Sequence, residues 1–98
     1  MCNYFFVFKI TGDASFSYTA LSSEQSFDKA VKQVRRLEEE FIREYEGKMV
    51  SIETYIYEIM VLDIVVNSCA GLGEGEFITK CCNQKPIFAR LREFRHFV

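Results

Sequence analysis

The sequence predicts a single α+β domain over residues 1–98: an antiparallel sheet of about four strands in the order β-β-α-β-β-α, with one long helix packed on one face and a short helix at the C-terminus. Three observations carry this. Two segments alternate side chains with the two-residue period of a strand, one segment repeats apolar residues at helical spacing, and the chain is long enough for one core but not two.

The first strand is Asn3–Ile10, where Tyr4, Phe6, Phe8 and Ile10 share one face and Phe5, Val7 and Lys9 the other. Both faces are apolar near its start, which predicts a central strand covered on two sides. Thr11-Gly12-Asp13-Ala14 supplies turn chemistry, and Ser15–Leu21 alternates Phe16, Tyr18 and Ala20 inward with Ser15, Ser17 and Thr19 outward, so the two segments form a hairpin with a half-exposed second strand.

Ser26 is the expected N-cap and Gly47 the expected C-terminal stop of a helix of about five turns. Its stripe is Phe27, Ala30, Val31, Val34, Leu37, Phe41, Ile42 and Tyr45, with Asp28/Lys32, Arg35/Glu39, Arg36/Glu40 and Glu39/Arg43 as i,i+4 pairs on the solvated side. Glu38 interrupts the stripe and is expected at its edge, reaching water; pairing across an interface is the other reading. Phe6, Phe8, Val34, Leu37, Phe41, Ile52 and Ile56 are the predicted core beneath this helix.

From Val50 the period changes to two. Val50, Ile52, Thr54, Ile56, Met60, Leu62, Ile64 and Val66 fall on one face, interrupted by Glu58, which predicts a long strand with a bend near that residue. The alternative is a strand to about Tyr57 followed by a buried helix. Phe77–Cys82 reads as a further short strand, and Pro86 as the first residue of an amphipathic helix bearing Ile87, Leu91, Phe94 and Val98.

Charge is unevenly distributed. Residues 1–79 carry 13 acidic and 7 basic side chains, net −6, whereas residues 80–98 carry one acid and five bases, net +4. Lys85, Arg90, Arg92 and Arg95 alternate with Phe88, Phe94 and Phe97, the combination of cations and rings that binds single-stranded nucleic acid, while the acidic body opposes an extended electrostatic footprint. Gly71, Gly73 and Gly75 are superficially similar to the glycine-rich loop of protein kinases, yet no V-A-I-K lysine or D-F-G follows, and Glu74 and Glu76 would repel phosphate. The stretch is read as a flexible connection between strands.

No catalytic constellation is evident. His96 is the single histidine and stands beside Arg95 near the end of the chain, without an orienting partner. Cys2, Cys69, Cys81 and Cys82 lack the close spacing of a zinc motif and are expected to be structural thiols, reduced in a cytoplasm. Met49–Cys69 contains Glu53, Glu58 and Asp63, so no membrane span is expected, and no metal or cofactor is predicted.

What these features predict is a small, non-catalytic interaction or regulatory protein that homodimerises or binds and modulates another protein. Size, acidity and lack of an active site resemble phage or mobile-element accessory proteins, such as inhibitors of host factors. The alternative is a nucleic-acid-associated regulator using the basic C-terminal segment. The expected interface is the face bearing Tyr55, Tyr57, Ile59 and Val61. One long helix and one short one leave it uncovered, and the predicted strand outruns its neighbours.

Overall fold

A computed structural model of the protein describes residues 3–60, 73–83 and 85–94. Four antiparallel strands form one sheet: β1 (Tyr4–Gly12), β2 (Phe16–Ser22), β3 (Val50–Glu58) and β4 (Phe88–Phe94), in the spatial order β2-β1-β3-β4. The long helix α1 (Phe27–Glu44) lies between β2 and β3 in the chain, and the short helix α2 (Glu74–Cys81) between β3 and β4. The α+β class, the four-stranded antiparallel sheet and the long and short helices are as the sequence predicts.

β1 pairs with β2 from Tyr4↔Ser22 to Ile10↔Phe16, and with β3 from Tyr4↔Glu58 to Gly12↔Val50. Because β1 is flanked on both edges, its alternate side chains feed two cores. On one face Phe6, Phe8 and Ile10 pack with Val50, Ile52 and Ile56 of β3 and with Ala30, Val34 and Phe41 of α1, while Leu37 packs against the edge of that cluster. Each fully buried Phe or Ile contributes about 1.5–3 kcal/mol of burial free energy. This is the core predicted from the stripe. Ser26 caps α1 by accepting a hydrogen bond from the Lys29 amide at 3.4 Å.

The β1–β2 turn is tied to the start of β3. Asp13 Oδ2 accepts from the Met49 amide at 2.9 Å, and the Asp13 amide donates to the Met49 carbonyl at 3.0 Å. Gly12 has φ +104°, and a Cβ placed there would stand 2.6 Å from the Met49 carbonyl oxygen, so both conformation and space require glycine.

The last two elements exchange places with the prediction, giving β-β-α-β-α-β. Phe77–Cys82 is helical, not extended: Phe77, Ile78 and Cys81 fall at helical spacing on the side packed against the sheet, and Glu74 and Glu76 occupy the first turn, where the helix dipole favours acids. The glycine stretch therefore does open a helix, with Gly73 as its N-cap. The segment after Pro86 is a strand, not a helix, pairing with β3 from Ile56↔Phe88 to Val50↔Phe94.

β3 as described ends at Glu58. Ile59 makes a single antiparallel bridge to Cys82, and the Met60 amide donates to the Cys81 carbonyl at 2.8 Å, so the chain's direction past β3 is set by the end of α2. The expected continuation of the strand beyond Met60 lies outside the described residues. With α2 laid on it, the second face is a core of its own, built from Phe5, Val7, Ile59, Phe77 and Cys82. The rings of Phe5 and Phe77 stand 4.5 Å apart.

Candidate functional site

The most unusual chemistry lies between α1 and β4. Glu38 projects from the middle of the apolar stripe and has no solvent exposure, which corrects the expectation that it reaches water from the edge of the stripe. Thr54 of β3, also fully buried, donates its hydroxyl to Glu38 Oε2 at 2.7 Å. Arg90 and Arg92 of β4 each bring a guanidinium to 3.2 Å from Oε1, and Arg92 also stands 3.5 Å from Glu39. The register explains the convergence: Thr54 is opposite Arg90 and Ile52 opposite Arg92, so alternate residues of β4 carry their cations to the face covered by α1. A carboxylate stripped of water is compensated only when its oxygens are saturated with donors, and this one is. The cluster binds the edge strand to the helix.

That geometry bears on the segment considered for nucleic acid. Arg90 and Arg92 are spent largely on Glu38, with their side chains 30% and 28% exposed. Lys85 is exposed just before β4, and Arg95 lies outside the described residues. Lys85, Arg90 and Arg92 thus do not form one stripe on a helix, since Phe88–Phe94 is a strand and Arg90 and Arg92 face inward.

Of the residues expected at a protein interface, Tyr55 and Tyr57 are half-buried and pack against the second core, and Ile59 is buried within it. Val61 lies outside the described residues. The face is not left open in the way the sequence argument required, because α2 covers it. Burial and then the neighbouring Glu53 carboxylate, which accepts the Tyr55 hydroxyl at 3.1 Å, push the Tyr55 phenol above its ordinary range.

Besides Phe27, Met49 and Met60, the exposed large apolar side chains among the described residues lie on or beside the outer strands. Phe16 and Tyr18 of β2 are 44% and 39% exposed and stack on each other with centroids 6.4 Å apart. At the other edge Ile87 and Leu91 are 42% and 59% exposed. β2 reads as half-exposed from its alternation. The openness of Leu91 was hidden by assigning it to the buried stripe of a helix.

Cys82 is buried and Cys81 half-buried against the second core, where both fill space. Cys2, Cys69 and His96 lie outside the described residues. Among the described residues no three His, Cys, Asp or Glu side chains are grouped to hold a metal ion, and no helix is long and apolar enough to cross a membrane. A cavity of about 500 Å³ opens between Asn3, Tyr4, Ser23, Gln25, Glu58 and Ile59 at one end of the sheet. Asn3 is already committed there, donating its side-chain amide to the carbonyls of Ser23 and Glu24. No protein-family model, curated protein or solved structure matches the chain.

Proposed function

We propose that this chain is a small interaction protein that works by docking, either to a second copy of itself or to another protein that it modulates, and not by catalysis. The observation that carries the reading is the placement of exposed aromatic and aliphatic side chains on both outer strands of a sheet whose two faces are otherwise packed by its own helices. Phe16 and Tyr18 on one edge and Leu91 on the other are held by rigid strands, and such pre-ordered apolar residues lose little entropy on binding. A phage or mobile-element accessory protein that inhibits a host factor fits this description by analogy of size and design. The nucleic-acid alternative has weaker support, because Arg90 and Arg92 are engaged by a buried carboxylate.

The test uses the full chain with Phe16→Ser/Tyr18→Ser and, separately, Leu91→Glu. Light scattering coupled to size exclusion and quantitative affinity capture from host extract are run side by side. Self-association or capture that falls about tenfold or more in one of these variants, with unchanged circular dichroism, supports docking. Monomers that capture nothing sensitive to either variant, or salt-sensitive oligonucleotide binding lost with Arg90 and Arg92, would replace it.

A further inference from the structure

We infer that the free edge of β2 is a self-recognition surface, which pairs antiparallel with β2 of a second copy about a two-fold axis at Thr19 and joins the two sheets into one of eight strands. The inference rests on the docking reading above and names the partner.

Both edges of the sheet are free among the described residues, but they are not alike. β4 reads FARLREF and carries Arg90, Arg92 and Glu93, with Pro86 just before it. Charges and proline are the devices that protect an edge from pairing with another chain. β2 reads FSYTALS, with neither a charge nor a proline in seven residues. Among the described residues no strand pairs with its outward amides and carbonyls.

A two-fold axis at Thr19 sets Tyr18 opposite Ala20 and Phe16 opposite Ser22, all on the side covered by α1. Each exposed ring thereby lies opposite a small residue of the other copy, Tyr18 opposite half-buried Ala20 and Phe16 opposite buried Ser22. Cross-strand complementarity of this kind is what stabilises paired strands.

Charge complementarity on α1 is compatible with the same arrangement. Ser22 donates its hydroxyl to Gln33, and Tyr18 meets Phe41 edge to face with centroids 5.5 Å apart, so α1 runs antiparallel to β2. From Gln33 to Phe41 the helix rises about 12 Å, at about 1.5 Å per residue. From Ser22 to Tyr18 the strand advances about 13 Å, at about 3.3 Å per residue. The two elements therefore keep level, and Thr19 lies beside the turn between Arg36 and Glu40. Those two residues line the groove along β2 together with Ala20 and Leu21, and neither has an ion-pair partner among the described residues. A two-fold axis at that level reverses the helix direction in the second copy. Arg36 is brought level with Glu40 of the other copy to within about 3 Å along the axis, and Glu40 with its Arg36, given the same helix rise. Two reciprocal ion pairs close over the β2–β2 seam, with the two Glu40 carboxylates at its centre flanked by the two Arg36 guanidiniums, so that the four charges sum to zero.

The test is sedimentation velocity of the full chain at several concentrations up to about 100 µM, at low salt, with three variants. The wild type is expected to sediment at twice the 11.5 kDa chain mass. Arg36→Glu sets four acids around the seam and is expected to raise the dissociation constant about tenfold or more; Arg36→Glu/Glu40→Arg restores opposite charges and is expected to return it to within about threefold of wild type. Thr19→Lys places two ammonium groups at the axis and is expected to give monomers with an unchanged circular dichroism spectrum. A wild type that is monomeric throughout overturns the inference. So does a dimer indifferent to Arg36→Glu and Thr19→Lys. If that dimer is split by Leu91→Glu, docking stands and only the β2 assignment falls.

Discussion

Glu38 shows how a single residue fixes the relation between two elements that the sequence left unconnected. Its carboxylate accepts from Thr54 and stands between Arg90 and Arg92, so α1, β3 and β4 all meet at one buried group. A buried charge of this kind adds little net stability compared with an apolar residue, but removing its partners is expensive, because the charge remains and the water does not return. Either guanidinium still answers Oε1 when the other is gone. Arg90→Ala and Arg92→Ala are accordingly expected to cost about 1–2 kcal/mol each, and the double variant about 3–5 kcal/mol, more than the sum of the singles. Urea unfolding of the four proteins measures this. Strict additivity would show that Glu38 is not shared between the two. In the sequence Glu38 was visible as a flaw in an apolar stripe, but the identity of its partners depended on β4 being a strand.

At the scale of elements, the hairpin, α1 and β3 as far as Glu58 were legible because period, caps and turn residues agree there: Ser26, Gly47 and the alternation from Val50 to Ile56 point to one answer. The two elements after the glycine stretch were read in exchanged order, for two physical reasons. Phe77-Ile78-Thr79 has strong strand preference, and only packing against Phe5 and Val7 makes a helix the better state. Arg90 and Arg92 stand where a buried strand face would show apolar residues, so the alternation in β4 is masked by two cations that share Glu38 as a partner. The uncovered β2 edge was half legible, since the exposure of Ser15, Ser17 and Thr19 was read but not that of Phe16 and Tyr18. Because α2 depends on tertiary contact, its anchoring should be measurable as a pair. Phe77→Ala is expected to cost about 3–5 kcal/mol, and a double-mutant cycle with Phe5→Ala to return a coupling of about 0.5–1.5 kcal/mol for the rings at 4.5 Å. A coupling near zero would place α2 elsewhere in solution.

For the whole molecule the decisive feature is that β1 serves both cores. Phe6, Phe8 and Ile10 enter the α1 core and Phe5 and Val7 the α2 core, from one nine-residue strand. Neither core can dissolve without exposing the strand that supports the other, which predicts a single cooperative transition instead of stepwise loss of α2. Two probes separate the possibilities. Far-UV circular dichroism is dominated by the 18 residues of α1, whereas tyrosine fluorescence, in a chain without tryptophan, includes Tyr55 and Tyr57 beside the α2 core. Their urea midpoints are expected to coincide in the wild type and in Val7→Ala, which should shift both together by lowering stability about 1–3 kcal/mol. An earlier fluorescence transition, with the dichroism unmoved, would show that the α2 side melts alone. The measurement must be repeated at several protein concentrations. If β2 joins two copies, unfolding is coupled to dissociation, and both midpoints climb together as the protein is concentrated. The Thr19→Lys variant, held as a monomer by the charges at its seam, should then unfold at a midpoint that does not change with concentration, while its two probes still agree.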